Sequence, residues 1–428
     1  MRSIAVAGAL AAACAASVAQ AQAAAPSTAP DPVRIMVSRL NLESYKNTLR
    51  GLAQFGDRRQ GTARNRAALD WIEAQLKKYG CTNTDRITYE YDGRQIQNDS
   101  TRRVDSIARA AKGLPPVPPR GGRGGGRGGA RPQPDSSGIR YDRNGNIIKG
   151  NVGRTGVNMD PMLQPDPAIR QLDAEPDSPG KRQDVYCTKI GTTHPDEMYI
   201  IGGHMDGHGY NQAVNDDGSG TALVMELARV FSSPDVVTDR SIRFILWNNE
   251  ETGLNGSRAY VEQRKDLQGI ENPKGSGKYP EPRWVGMVQH DMMMWDHGAP
   301  GPDGKVSPVQ RREADVNIEF AGASKFADSS QKMAWFFRRA NDKYATNYPA
   351  AVGDRMSNTD SDPFKDLTAT LSLRENERLA QTGTGWNPTW HQPLDVLSTF
   401  SDDDYRLGLN AAQTTLSAIA QLSGARLK

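Results

Sequence analysis

Apolar residues along this chain recur with two different periods. Leu69, Ile72, Leu76 and Tyr79 follow an i, i+3, i+7, i+10 spacing, which puts them on one helical face. This predicts an amphipathic helix within 61–80, closed by Gly80. A helix over 40–55 and a strand over 86–91 flank it. From Asp184 onward the pattern alternates regularly. Strands are predicted over 185–190, 197–201, 241–247, 284–288 and 368–373. Helices are predicted over 219–231, 331–344 and 401–422. In the first of these, Leu223, Leu227, Val230 and Phe231 share a face. Ser401 opens the last, with Asp404 three residues on, close to a capping box. Strands alternating with helices predict an α/β fold: a mostly parallel mixed β-sheet flanked by helices on both faces.

Between 93 and 183 the pattern breaks. Pro115, Pro116, Pro118 and Pro119 precede a Gly/Arg run from Gly121 to Gly129. Glycine loses the most entropy on ordering and has nothing to bury. The stretch 93–183 therefore reads as an insertion, flexible over 112–138, with 135–183 polar and loop-like. The Gly/Arg run is similar to RNA-binding tails, but a solvated linker is the plainer reading. The chain holds 53 basic against 50 acidic residues, so no long-range field favours nucleic acid.

The first residues read as an export signal over 1–21: Arg2, then an Ala-rich apolar run, then Ala19-Gln20-Ala21 as a small-x-small cleavage site. The run falls short of the roughly 20 residues a membrane span needs. Cys14 raises a lipoprotein site, which the residues before it fit poorly. An Ala/Pro-rich disordered segment over 22–36 would follow, then a single α/β domain over 37–428 interrupted by the insertion. The expected location is periplasmic or extracellular. Beyond the signal, Cys81 and Cys187 are the only cysteines. One disulfide and two separate buried thiols are both open.

The chemistry clusters directly after the predicted strands, where open α/β sheets place their ligand crevice. His204-Met205-Asp206 follows the strand 197–201. In extended backbone Asp206 points to the same side as His204 and could accept its second ring N–H. Asp216-Asp217-Gly218-Ser219-Gly220 opens the helix at 219. These are also ordinary turn and N-cap residues, but adjacent carboxylates beside a histidine call for cations. Glu250-Glu251 ends the strand 241–247, so one glutamate can ligate a metal while its neighbour faces water. Asp291 follows the strand 284–288, and His391 stands in Trp390-His391-Gln392-Pro393-Leu394-Asp395. His208, His290 and His297 lie near these motifs and could compete as ligands; they read as residues of the rim or as supports behind the ligands. Met292-Met293-Met294 reads as wall packing.

In this order the motifs resemble the M28 family of zinc peptidases, which includes bacterial secreted leucyl-type aminopeptidases. The likeness extends to Arg59-Gln60-Gly61-Thr62 and covers about 38–92 and 184–425. Residues 93–183 and 298–330 depart from it. The resemblance implies the zinc-exopeptidase fold and two Zn²⁺ ions. His204 and Asp291 would hold one ion, Glu251 and His391 the other, and Asp216 would bridge them. Glu250 would be the general base, with Asp206 beside it in the catalytic machinery. The expected substrates are peptides cut at the amino end. A carboxypeptidase or dipeptidase would use the same site. A glutaminyl cyclase normally uses one zinc, and a binding protein would lack ligands; all five are present here.

Overall fold

The computed structural model describes residues 31–91, 157–158, 160–303, 305–375 and 386–428. The export signal and the stretch 112–138 lie outside them. The chain opens with α1 (Pro32–Ser38), α2 (Leu42–Ala53), α3 (Ala63–Lys78) and β1 (Thr84–Tyr91). Next among the described residues come α4 (Pro167–Asp173), β2 (Gly180–Lys189), β3 (His194–His204) and α5 (Gly218–Phe231). Next are β4 (Val236–Val237), β5 (Arg240–Trp247), α6 (Asn255–Arg264), β6 (Arg283–His290) and β7 (Val316–Phe320). The last elements are α7 (Ala327–Tyr344), β8 (Ala350–Gly353), β9 (Thr370–Arg374), α8 (Asp402–Leu422) and β10 (Arg426–Leu427).

Eight strands form one sheet in the order β1-β2-β5-β3-β6-β9-β7-β8. The centre is parallel: β5, β3, β6 and β9 run in one direction. The pairs β1–β2, β2–β5 and β7–β9 are antiparallel. Side chains alternate between two apolar layers, as pleating requires. On β3, Tyr199 and Ile201 enter the larger layer and Met198 and Ile200 the smaller. The larger layer holds residues of α2, α5, α7 and α8; the smaller holds Tyr260 of α6. A sheet covered on both faces has apolar central strands, and this is why β3, β5 and β6 are legible in the sequence. Arg243 of β5, buried beside Tyr260 of the smaller layer, is matched at 2.5 Å by Glu281. No described helix is long and apolar enough to cross a membrane.

Three boundaries differ from the sequence expectations. The end of the expected disordered segment 22–36 lies in α1, whose Val33, Met36 and Val37 are buried. The end of the expected insertion is structured, as α4 and the start of β2. The elements β7, β8 and α6 have no counterpart in the expected pattern. β7 alternates apolar and polar residues from Val316 to Phe320, but over five residues only, too short a run to stand out from a loop.

The sulfurs of Cys81 and Cys187 form a disulfide, with Cα atoms 6.1 Å apart. It ties the turn before β1 to β2. Helix α8 begins with a complete capping box between Ser401 and Asp404.

Candidate metal centre

The carboxyl ends of β3, β5, β6 and β9 converge on one crevice, and the five candidate ligands reach it from four chain segments. His204 ends β3. Its Nδ1 lies 2.9 Å from the backbone oxygen of Asp206. A carbonyl only accepts, so Nδ1 carries the proton and the Nε2 lone pair faces the crevice. The carboxylate of Asp206 is 3.9 Å from that ring and accepts the backbone N–H of Glu250 at 3.1 Å instead. The sequence expectation that the Asp206 side chain orients His204 is therefore corrected: the backbone does this, and the carboxylate fixes the Glu250 backbone.

Asp216 sits between two groups of ligands. Its Oδ1 is 3.3 Å from His204 Nε2, and its Oδ2 is 3.0 Å from His391 Nε2. Asp395 holds it there by accepting the backbone N–H groups of Asn215 at 2.7 Å and Asp216 at 3.0 Å. The Asp216–Asp217 peptide bond is cis. Asp217 turns away from the crevice and caps α5. It accepts from the backbone N–H groups of Gly220, His204 and Met292. Gly203 and Gly220 let α5 approach β3 closely: a Cβ on Gly203 would lie 2.7 Å from the Gly220 backbone.

His204, Asp216 and Asp291 form one group of potential metal donors; His208, Glu251 and His391 form another. Asp291, after β6, is 3.9 Å from His204 Nε2 through Oδ1. Its Oδ2 accepts from the buried Arg374 Nη2 at 2.9 Å. Glu251 Oε2 is 3.0 Å from both His208 Nε2 and His391 Nε2. Glu250 belongs to neither group and is buried beside them. Burial, opposed by His204 and reinforced by Asp291 and Asp360, pushes its carboxyl well above the usual range. Burial alone would lower His391, but Glu251 and Asp216 raise it to about 10. Burial would raise Glu251, but His208 and His391 bring it down to about 2.

Of the three histidines expected at the rim, His208 has joined a donor group. His290 is wholly buried between Gly202 O and Thr415 Oγ1, and burial lowers its pKa to about 4. His297 stacks on Trp295 and bonds Asp404. Neither touches the crevice ligands. Met292, Met293 and Met294 are buried and donate backbone N–H groups to Asp217, Ser219 and Asn215, as wall residues would. Arg374 and Glu375 have no signal in the sequence beyond their place directly after an apolar strand. Glu375 accepts from Asn215, Met294, Trp295 and Asn387, so it braces the floor of the site.

These residues fit a metal. Glu251 Oε1 and His208 Nε2 are buried without a hydrogen-bond partner, a state that costs free energy unless a cation completes it. The donors are nitrogen and oxygen only, the set suited to catalytic zinc.

A family model described as peptidase family M28 matches residues 185–414. Aminopeptidase YwaD of Bacillus subtilis is 45% identical over 75 residues, 18% of this chain and 16% of that protein. The probable lipoprotein aminopeptidase LpqL of Mycobacterium tuberculosis is 37% identical over 262 residues, 58% of this chain and 47% of that protein. The chain thus spans less than half the length of these curated relatives. Among solved structures, an aminopeptidase from Aneurinibacillus sp. strain AM-1 superposes with a TM-score of 0.55 at 18% identity, covering 92% of this chain and 97% of that one. At that identity the likeness shows the fold.

Proposed function

The chain belongs to peptidase family M28, and on that premise we propose that it is an exported zinc-dependent exopeptidase that removes residues from the amino end of peptides. The observation that carries this reading is the pair of donor groups meeting at Asp216, whose two carboxylate oxygens face opposite imidazoles. His204 and Asp291 would hold one zinc, Glu251 and His391 a second, with Asp216 shared. Zinc, when bound, supplies Lewis acidity at the crevice.

The protein's own groups do the rest. Glu250 takes the proton from the attacking water and later hands it to the leaving amine. Burial raises its proton affinity in the metal-free site; zinc bound beside it would lower that affinity again and leave the carboxylate free to accept the proton. Asp206 keeps Glu250 in place through the Glu250 backbone N–H. Relatives named as aminopeptidases support the amino-end reading. Carboxypeptidase Q of Xenopus laevis, 29% identical over 83 residues, keeps a carboxyl-end activity as the second reading.

One unstructured peptide, free and N-acetylated, separates them by mass spectrometry. Stepwise loss from the free amino end alone is the expected result. Loss from the carboxyl end of both forms would move the specificity to a carboxypeptidase. No cleavage by a zinc-loaded protein would remove the exopeptidase reading.

A further inference from the structure

We propose that His208 is a metal ligand, so that one of the two sites is built from two imidazoles and a carboxylate. This rests on the zinc reading above. The inference starts from a contact. His208 Nε2 lies 3.0 Å from Glu251 Oε2, yet that nitrogen is buried without a hydrogen bond. Close approach without hydrogen-bond geometry is how two donors on one cation sit. The His208 and His391 rings stand edge to face, with centroids 4.3 Å apart. His208, Glu251 and His391 place one donor atom each within 4.8 Å of the others.

The loop carrying His208 is built to bring it there. It reads Gly207-His208-Gly209. A Cβ on Gly207 would lie 2.5 Å from the Cβ of Ala213 and 3.0 Å from Asp216 O. Gly209 has φ +115°, and a Cβ there would lie 2.6 Å from His391 O. Larger residues at either place would lift His208 away from its partners. Asn211 Nδ2 donates to His208 O at 3.0 Å and to Gln392 O at 2.9 Å. Asn158 donates its side-chain N–H to Gly209 O at 3.1 Å and its backbone N–H to His391 O at 3.0 Å. Four hydrogen bonds therefore tie the His208 loop to the His391 loop. Two come from Asn158, within the stretch the sequence pattern assigns to an insertion.

The consequence is an unequal pair. One site has His204 and Asp291, the other His208, Glu251 and His391, with Asp216 common to both. An added neutral nitrogen donor favours zinc, so the two ions should bind with different affinities.

The test titrates Zn²⁺ into the full chain against a chromogenic chelator and records the visible spectrum of the Co²⁺ form. Wild type, His208→Ala, His208→Gln and His391→Ala are compared. His208→Gln keeps a polar side chain of similar reach, which guards against loss of the loop. The expected result is two ions in wild type. Both His208 variants should weaken one of them by at least about tenfold, while the other holds. The Co²⁺ bands they change should be those that His391→Ala changes. Unchanged constants and spectra in both His208 variants would overturn the assignment and leave the zinc reading standing. A wild-type chain that binds no ion would overturn both.

Discussion

At the scale of single residues, Glu250 and Glu251 are adjacent in sequence and opposite in circumstance. Glu251 lies among imidazoles that hold it ionised. Glu250 is buried near Asp291 and Asp360, and burial foremost, against the pull of His204, raises its proton affinity in the metal-free site. The same side chain is thus set up as a ligand at one position and as a proton carrier at the next. Glu250→Gln removes the carrier and leaves every donor atom of both groups in place. We expect it to keep its zinc content and melting temperature and to lose at least about a hundredfold in kcat, the scale of general-base assistance. Elemental analysis and peptide turnover on one preparation check this. A variant with near-normal turnover would remove Glu250 from the mechanism. Of the five proposed ligands, His204, Glu251 and Asp291 stand at or just after apolar strands, whereas Asp216 and His391 were singled out by motif order alone. His208 was not legible as one of them. Its flanking glycines matter through contacts with Asp216, Ala213 and His391, and the contact with His391 spans nearly the whole second half of the chain.

At the scale of elements, the disulfide has the clearest energetic consequence. It joins residues 106 positions apart and so restricts a large loop of the unfolded chain. The chain-entropy account gives roughly 4–5 kcal/mol for a loop near 100 residues. The Cys81→Ser, Cys187→Ser double variant should therefore unfold at clearly lower denaturant, with a slope no smaller than wild type because its unfolded chain is less restricted, in equilibrium titrations read by tryptophan fluorescence. An unchanged midpoint would mean that the bond adds nothing. Cysteine count alone left two buried thiols equally open, because pairing depends on the β1–β2 register that sets Cys187 opposite Thr84. The same logic divides the legible strands from the missed ones. β3 and β5 are buried on both faces and announce themselves as apolar runs. β7 is short, and its Glu319 is buried 3.8 Å from Arg374, so the polar phase of its alternation faces an ion pair rather than water. Helix α6 presents Tyr260 to the core with few other apolar residues, too few for its period to show.

At the scale of the whole molecule, the crevice gathers carboxylates from positions 206 to 395, whose repulsion Arg374 and the imidazoles offset in part and bound cations would offset further. Without metal, burial raises Asp360 to about 7, against the pull of His204. His391 is raised to about 10 by Glu251 and Asp216 against its burial. Both groups bind protons more tightly folded than unfolded. Their contribution to stability is full below the unfolded values, about 3.9 for Asp and 6.5 for His. It is lost as pH rises through the folded ones. The metal-free protein should therefore melt at progressively lower temperature from about pH 5 to about pH 9. Zinc replaces those protons as the source of positive charge, and at a hundredfold excess over its dissociation constant it adds about 2.7 kcal/mol per site. The zinc-loaded protein should melt several degrees higher at neutral pH and show a flatter pH profile over the same range. Scanning calorimetry with and without chelator measures both curves. Parallel curves would show that the raised groups do not titrate with folding, and the account of the crevice as a charge cluster completed by metal would fail with them.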